Sequence, residues 1–232
     1  MSQKFSNILR DYTQVPDELV SGLIVPGAGF SPNEYADYTN LGETSLVKVG
    51  GPSEATVATA IRAAHFLEDY REAHAFITGD APGAKDPKNI YPEPHTEKAA
   101  IAEIIRVYNV QPSQYIIDPN ITTTSYENVR SDEAADFIKS QKGTGEVAVV
   151  GALGHAMRVA RFIKRLHDIE AAIIPINGTR VTAQELALRG VYAAAFAGVS
   201  SGDTARLDAR YQTVQRPLGF AKRRLYRSPR YQ

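Results

Sequence analysis

The chain has 232 residues and a mass of 25.3 kDa, enough for one substantial α/β domain or one domain with an appendage. Its 43% hydrophobic and 22% charged residues exclude a wholly disordered or fibrous chain. Its 26 basic and 26 acidic side chains cancel, and it has no cysteine, so bulk charge does not favour nucleic acid or membrane, and disulfides, zinc thiolate sites and a cysteine nucleophile are excluded.

In chain order, short β-rich runs alternate with helix-period stretches. Residues 19–25 (LVSGLIV) predict a strand ending in Pro26-Gly27-Ala28-Gly29. A helix over 53–70 follows, capped by Ser53, with Val57, Ala60, Ile61, Ala64 and Leu67 on one face. Residues 73–78 form a second strand stopped by Gly79-Asp80, and Thr96 caps a helix reaching about Tyr108. A short strand at 115–117 precedes Asp118-Pro119-Asn120 and a helix over about 125–140.

Residues 146–150 (EVAVV) are a near-continuous apolar strand, as expected where helices cover both faces of a sheet. A helix at 155–166, a fifth strand at 171–174 and helices at 182–189 and 203–211 complete the pattern. The alternation predicts a Rossmann-like three-layer α/β/α sandwich with a mainly parallel sheet of about five strands. Two long segments, 30–52 and 81–95, interrupt it; the first contains a possible edge strand at 45–51, and the second has four prolines. Loops of that length in a compact domain usually act as lids, binding loops or disordered segments.

The charge balance conceals an asymmetry. Residues 216–232 hold six basic and no acidic side chains, leaving residues 1–215 at a net charge of −6. The chain therefore divides into one domain over 1–215 and a basic tail over 216–232. The tail suits an anionic partner or, more simply, packing and homo-oligomer contacts, with Phe220, Leu225, Tyr226 and Tyr231 interleaved among its charges. The longest apolar run, 191–199, is too short to span a bilayer, and Lys4, Arg10, Asp11, Asp17 and Glu18 near the start of the chain leave no signal-type apolar block ahead of the first strand. The expectation is a cytoplasmic protein that binds a small-molecule ligand rather than nucleic acid.

In an open parallel sheet, ligands bind beyond the carboxyl ends of the strands. There the sequence gathers Gly27 and Gly29 after strand one, and Thr78, Gly79 and Asp80 after strand two. Thr96 and Glu97 open the next helix. Asp118, Thr122, Thr123, Thr124, Glu127 and Asn128 follow strand three; Gly151, Gly154, His155 and Arg158 follow strand four. His155 offers a general acid/base, and Arg158 at a helix start offers a grip on phosphate or carboxylate. The acidic residues suit ribose hydroxyls or a hard cation. No GxSxG elbow, P-loop or HExxH motif occurs, so a covalent hydrolase is disfavoured.

Three elements in this order carry a family resemblance: Thr96-Glu97-Lys98-Ala99, the TTTSYEN run of 122–128, and Gly154-His155-Ala156-Met157-Arg158. They resemble the Ser-Glu-Ala, Ser-x-Asn-Thr-x-Glu-Asn and His-x-x-Arg elements of the bacterial family of unknown function that includes YdcF, SanA and ElyC. The likeness spans roughly residues 19–174. It departs from the family at Lys98 and at residues 151–154 (GALG), where the family carries hydroxyl residues before its histidine.

The resemblance implies a Rossmann-like fold with a polar cleft at the strand ends. It also suggests S-adenosyl-L-methionine as cofactor, since YdcF is described as binding it, whereas SanA and ElyC are membrane-anchored and linked to the cell envelope. On this reading Gly27, Gly29 and Gly79 admit the ligand, and Asp80 or Asp118 takes its hydroxyls. Glu97, Thr124, Glu127 and Asn128 organise the pocket, and His155 and Arg158 stand at the reacting or anionic end. Two alternatives belong to other classes. One is a metal-assisted phosphoester or glycosyl hydrolase or transferase linked to envelope metabolism; the other is a non-catalytic module acting through the basic tail.

Overall fold

A computed structural model describes residues 17–28, 30–31, 51–80, 97–122, 124–141, 145–176 and 179–226. Gly29, Thr96 and Thr123, and most of both long segments, lie outside the described residues. Five strands form one parallel sheet: β1 (Val20–Pro26), β4 (His74–Thr78), β5 (Tyr115–Ile117), β6 (Glu146–Gly151) and β7 (Ala171–Pro175). Their order is β5-β4-β1-β6-β7, with Ile24 of β1 opposite Phe76 of β4 and Val149 of β6. A two-residue antiparallel pair, β2 (Phe30–Ser31) with β3 (Gly51–Pro52), stands apart; the predicted edge strand at 45–51 otherwise lies outside the described residues.

Strands β1, β4 and β6 are buried on both faces, and their side chains alternate between two cores; edge strand β5 leaves Ile116 and Ile117 exposed. Leu23, Val25, Ala75, Ile77, Ala148 and Val150 point to one face, which α1 (Glu54–Asp69) and α2 (Glu97–Val107) cover with Ala60, Ala64, Leu67, Ile101 and Ile105. Ile24, Phe76, Val147 and Val149 point to the other. There α4 (Asp132–Ser140), α5 (Leu153–His167), α6 (Ala183–Ala195) and α7 (Thr204–Tyr226) pack an aromatic layer. In it Tyr126 stacks on Tyr211 at 3.9 Å between ring centroids, and Phe162 meets Tyr126 edge-on.

The crossover after β1 thus lies on one face and the crossover after β6 on the other. The reversal between these neighbouring strands opens a crevice at their carboxyl ends.

Three predicted elements change. The helix expected over 125–140 is two, α3 (Glu127–Arg130) and α4, because Ser131 turns extended at ψ 153° and accepts a hydrogen bond from the Ala134 N–H. A serine that caps in this way competes with helix continuation. Helix α6 runs past Arg189 to Ala195 through Gly190, and α7 runs past Tyr211 to Tyr226. The expected boundary at residue 216 therefore falls inside a helix. Among the described residues no helix is long and apolar enough to cross a membrane.

Candidate functional site

The floor of the crevice is built by the first residues beyond β1 and β4. The Gly27 N–H donates to the Thr78 carbonyl at 2.8 Å, and Gly79 takes φ +110°. A Cβ on Gly79 would lie 2.8 Å from the Gly27 nitrogen, and one on Gly27 would collide with the Glu97 carboxylate. Both positions therefore require glycine, one for its backbone angle and both for close approach.

Behind this floor is a hydroxyl and carboxylate network. Thr78 Oγ1 donates to Asp118 Oδ2 at 2.9 Å and lies 3.0 Å from Thr122 Oγ1, which accepts from the Gly79 N–H at 3.2 Å. The Thr122 N–H donates to Asp80 Oδ2 at 3.0 Å, and Lys98 Nζ pairs with the same oxygen at 3.1 Å while donating to the Asn120 carbonyl.

Asp80 is 4% exposed and Asn128 3%. Asp80 Oδ1 and Asn128 Oδ1 have no hydrogen-bond partner among the described residues. Such atoms cost about 1–3 kcal/mol each when left unmet, and buried polar groups are nearly always satisfied.

The facing wall comes from the turn before α3, the start of α5 and the start of α6. Ser125 Oγ lies 3.0 Å from His155 Nε2 and accepts from Arg158 Nε at 3.1 Å. The Arg158 guanidinium also pairs with Glu185, and both side chains are about four-fifths buried. Gly154 fits because its backbone packs against Glu185, whose Cγ would lie 2.7 Å from an added Cβ. Burial, and then the Arg158 charge beside it, push the His155 imidazole down to about 3. The ring is therefore neutral across the physiological range.

Together the two walls enclose a cleft of about 410 Å³. The structure brings Gly27, Gly79, Asp80, Glu97, Thr124, Asn128, His155 and Arg158 to it. Two expected residues are corrected. Asp118 is fully buried behind the floor, and its second oxygen accepts from the Asn120 N–H and side-chain amide at 2.9 and 3.0 Å; it organises a turn rather than meeting a ligand. Glu127 opens α3 outside the lining, where its backbone N–H donates to Thr124 Oγ1. Gly29 lies outside the described residues.

The sequence reading did not single out Ser125, Arg180, Glu185 or Tyr192, which also line the cleft. Extending the strand-end rule to β7 leads to Arg180, Thr182 and Glu185; nothing local marks Ser125 or Tyr192. Among the described residues no group of three His, Asp or Glu side chains is arranged to hold a metal ion. The acidic residues are instead dispersed: Asp80 on Lys98, Asp118 in its turn, Glu185 on Arg158. The chain matches no family model, no curated protein and no solved structure.

Proposed function

We propose that the chain binds a hydroxyl-bearing small molecule of nucleotide or S-adenosyl-L-methionine type, carrying a phosphate or carboxylate, in the cleft at the β1/β6 crevice. The observation that carries this reading is the pair of buried, unmet acceptors, Asp80 Oδ1 and Asn128 Oδ1, in a cleft that also contains Arg158. The acceptors call for ligand donors such as ribose hydroxyls or an ammonium. Arg158 and the start of α5 suit a phosphate or carboxylate.

The resemblance to the YdcF-like family makes S-adenosyl-L-methionine the first ligand to test. The dispersed carboxylates give no support to the metal-assisted alternative, and α7 continues through the start of the basic segment, so no separate tail module is proposed.

Calorimetric titration with S-adenosyl-L-methionine, AMP and ADP tests this. Saturable binding of at least one is expected, with stability rising by about 2.7 kcal/mol at a hundredfold excess over Kd. Asp80→Ala should weaken that binding. Failure of all three ligands to bind or to raise Tm would overturn the reading.

A further inference from the structure

We infer that Ser125 is a nucleophile served by His155, and that this end of the cleft takes a phosphoryl group from an anionic phosphate ester. The inference rests on the ligand reading above and assigns its reacting end. Arginine can only donate, so the Ser125 oxygen is the acceptor in its 3.1 Å bond from Arg158 Nε. The single hydroxyl proton is then free for His155 Nε2, 3.0 Å away. That fixes the imidazole as the Nδ1–H tautomer with its Nε2 lone pair on the serine. Burial and the Arg158 charge leave the free ring neutral near pH 7 but weakly basic; the negative charge of a bound ester opposes the Arg158 charge and raises that basicity, so the ring takes the proton in the complex.

The guanidinium has a second role. Placed on Ser125 Oγ and held by Glu185, it lowers the energy of the oxygen as negative charge develops there. A serine hydroxyl held between a fixed cation and a neutral imidazole in a cleft wall is activated without a strand-to-helix elbow. The class of substrate follows from charge. A phosphate ester already carries negative charge when it binds, and its non-bridging oxygens suit Arg158 and the N-terminus of the fifteen-residue α5 in the ground state as well as in the step.

In the step, the Ser125 Oγ–P bond forms as the bond from phosphorus to the leaving oxygen breaks. The hydroxyl proton passes to His155 Nε2 and then to the leaving oxygen. Water next attacks the phosphoserine, giving its proton to His155, which returns it to Ser125 as the serine–phosphorus bond breaks. The balance is phosphate ester plus water giving alcohol plus phosphate.

A fluorophosphonate probe, which loses fluoride to an activated serine, tests this on the full chain. Peptide mass spectrometry should find the label on Ser125. Labelling should vanish in Ser125→Ala and slow by roughly 100-fold in His155→Ala and His155→Gln, with melts confirming that each variant is folded. Hydrolysis of p-nitrophenyl phosphate should depend on the same residues. No label on Ser125, or labelling indifferent to His155, overturns the inference; turnover of p-nitrophenyl acetate in place of the phosphate overturns the phosphoryl assignment. ADP titration of the same preparations separates the two readings. Binding without labelling removes the nucleophile alone, and labelling without binding removes the nucleotide-type ligand alone.

Discussion

The two ends of the sheet both carry a groove rich in charged side chains, and they differ in what has been taken out of water. At the amino ends of the strands, Glu18, Asp69, Arg71, Glu72 and Glu146 surround a groove of about 810 Å³, twice the size of the cleft at the carboxyl ends. All five side chains there are exposed. Exposed charges are screened and contribute little to binding or stability. At the opposite end Asp80 and Asn128 are buried with acceptors unmet, and Arg158 is held by Ser125 and Glu185. Size and charge density would select the groove at the amino ends. Buried groups that the fold leaves unsatisfied, or holds rigidly, select the cleft.

Three experiments sharpen this contrast. The largest effect is expected for Arg158→Ala, which should weaken ADP binding by about 2–5 kcal/mol by calorimetry, partly because it strands the Glu185 carboxylate. Arg71→Ala in the other groove should leave affinity within about 0.5 kcal/mol; equal losses would erase the distinction between the two ends. Gly79→Ala comes next. An alanine at φ +110° with its Cβ against the Gly27 nitrogen should lower stability to urea by about 1–3 kcal/mol. An unchanged midpoint would mean that the floor can relax.

Read per pH unit, the smallest effect is a pH slope. His155 falls from 6.5 in the unfolded chain to about 3 when folded, so between those values the unfolded chain binds more protons. Its contribution to stability is complete above pH 6.5 and is lost as pH falls toward 3, by at most about 1.4 kcal/mol per pH unit. His167, lowered chiefly by burial, acts in the same direction. His155→Gln should flatten the slope; an unaltered slope assigns the titration to another group.

Much of the scaffold was legible because buried parallel strands are apolar runs closed by Gly, Asp or Pro, and all five strands of the sheet lie where those runs do. The eight expected residues that line the cleft follow from strand-end position. Position does not say whether a carboxylate is already satisfied, and for that reason Asp118 was misassigned: its partners Thr78 and Asn120 meet both oxygens. Glu185 could be reached by strand-end position, but its role was illegible for the complementary reason. Its importance comes from Arg158, 27 residues earlier, and only the packing of α6 on α5 joins them. The split at Ser131 turned on whether a serine caps or continues a helix, a choice that local sequence leaves balanced.

Helix α7 adds a dimension of time. The five strands are complete at Pro175, and central β1 pairs with β6, which begins 120 residues after β1 ends. Parallel pairing over such a separation closes slowly. Tyr126 and Arg130 then clamp Asp208 of α7, and Gln215 reaches the cleft from the same helix. During synthesis the sheet can be assembled while part of the cleft wall is still on the ribosome. Completion of the cleft thus becomes a late event in the life of each molecule, reached only once α7 has docked.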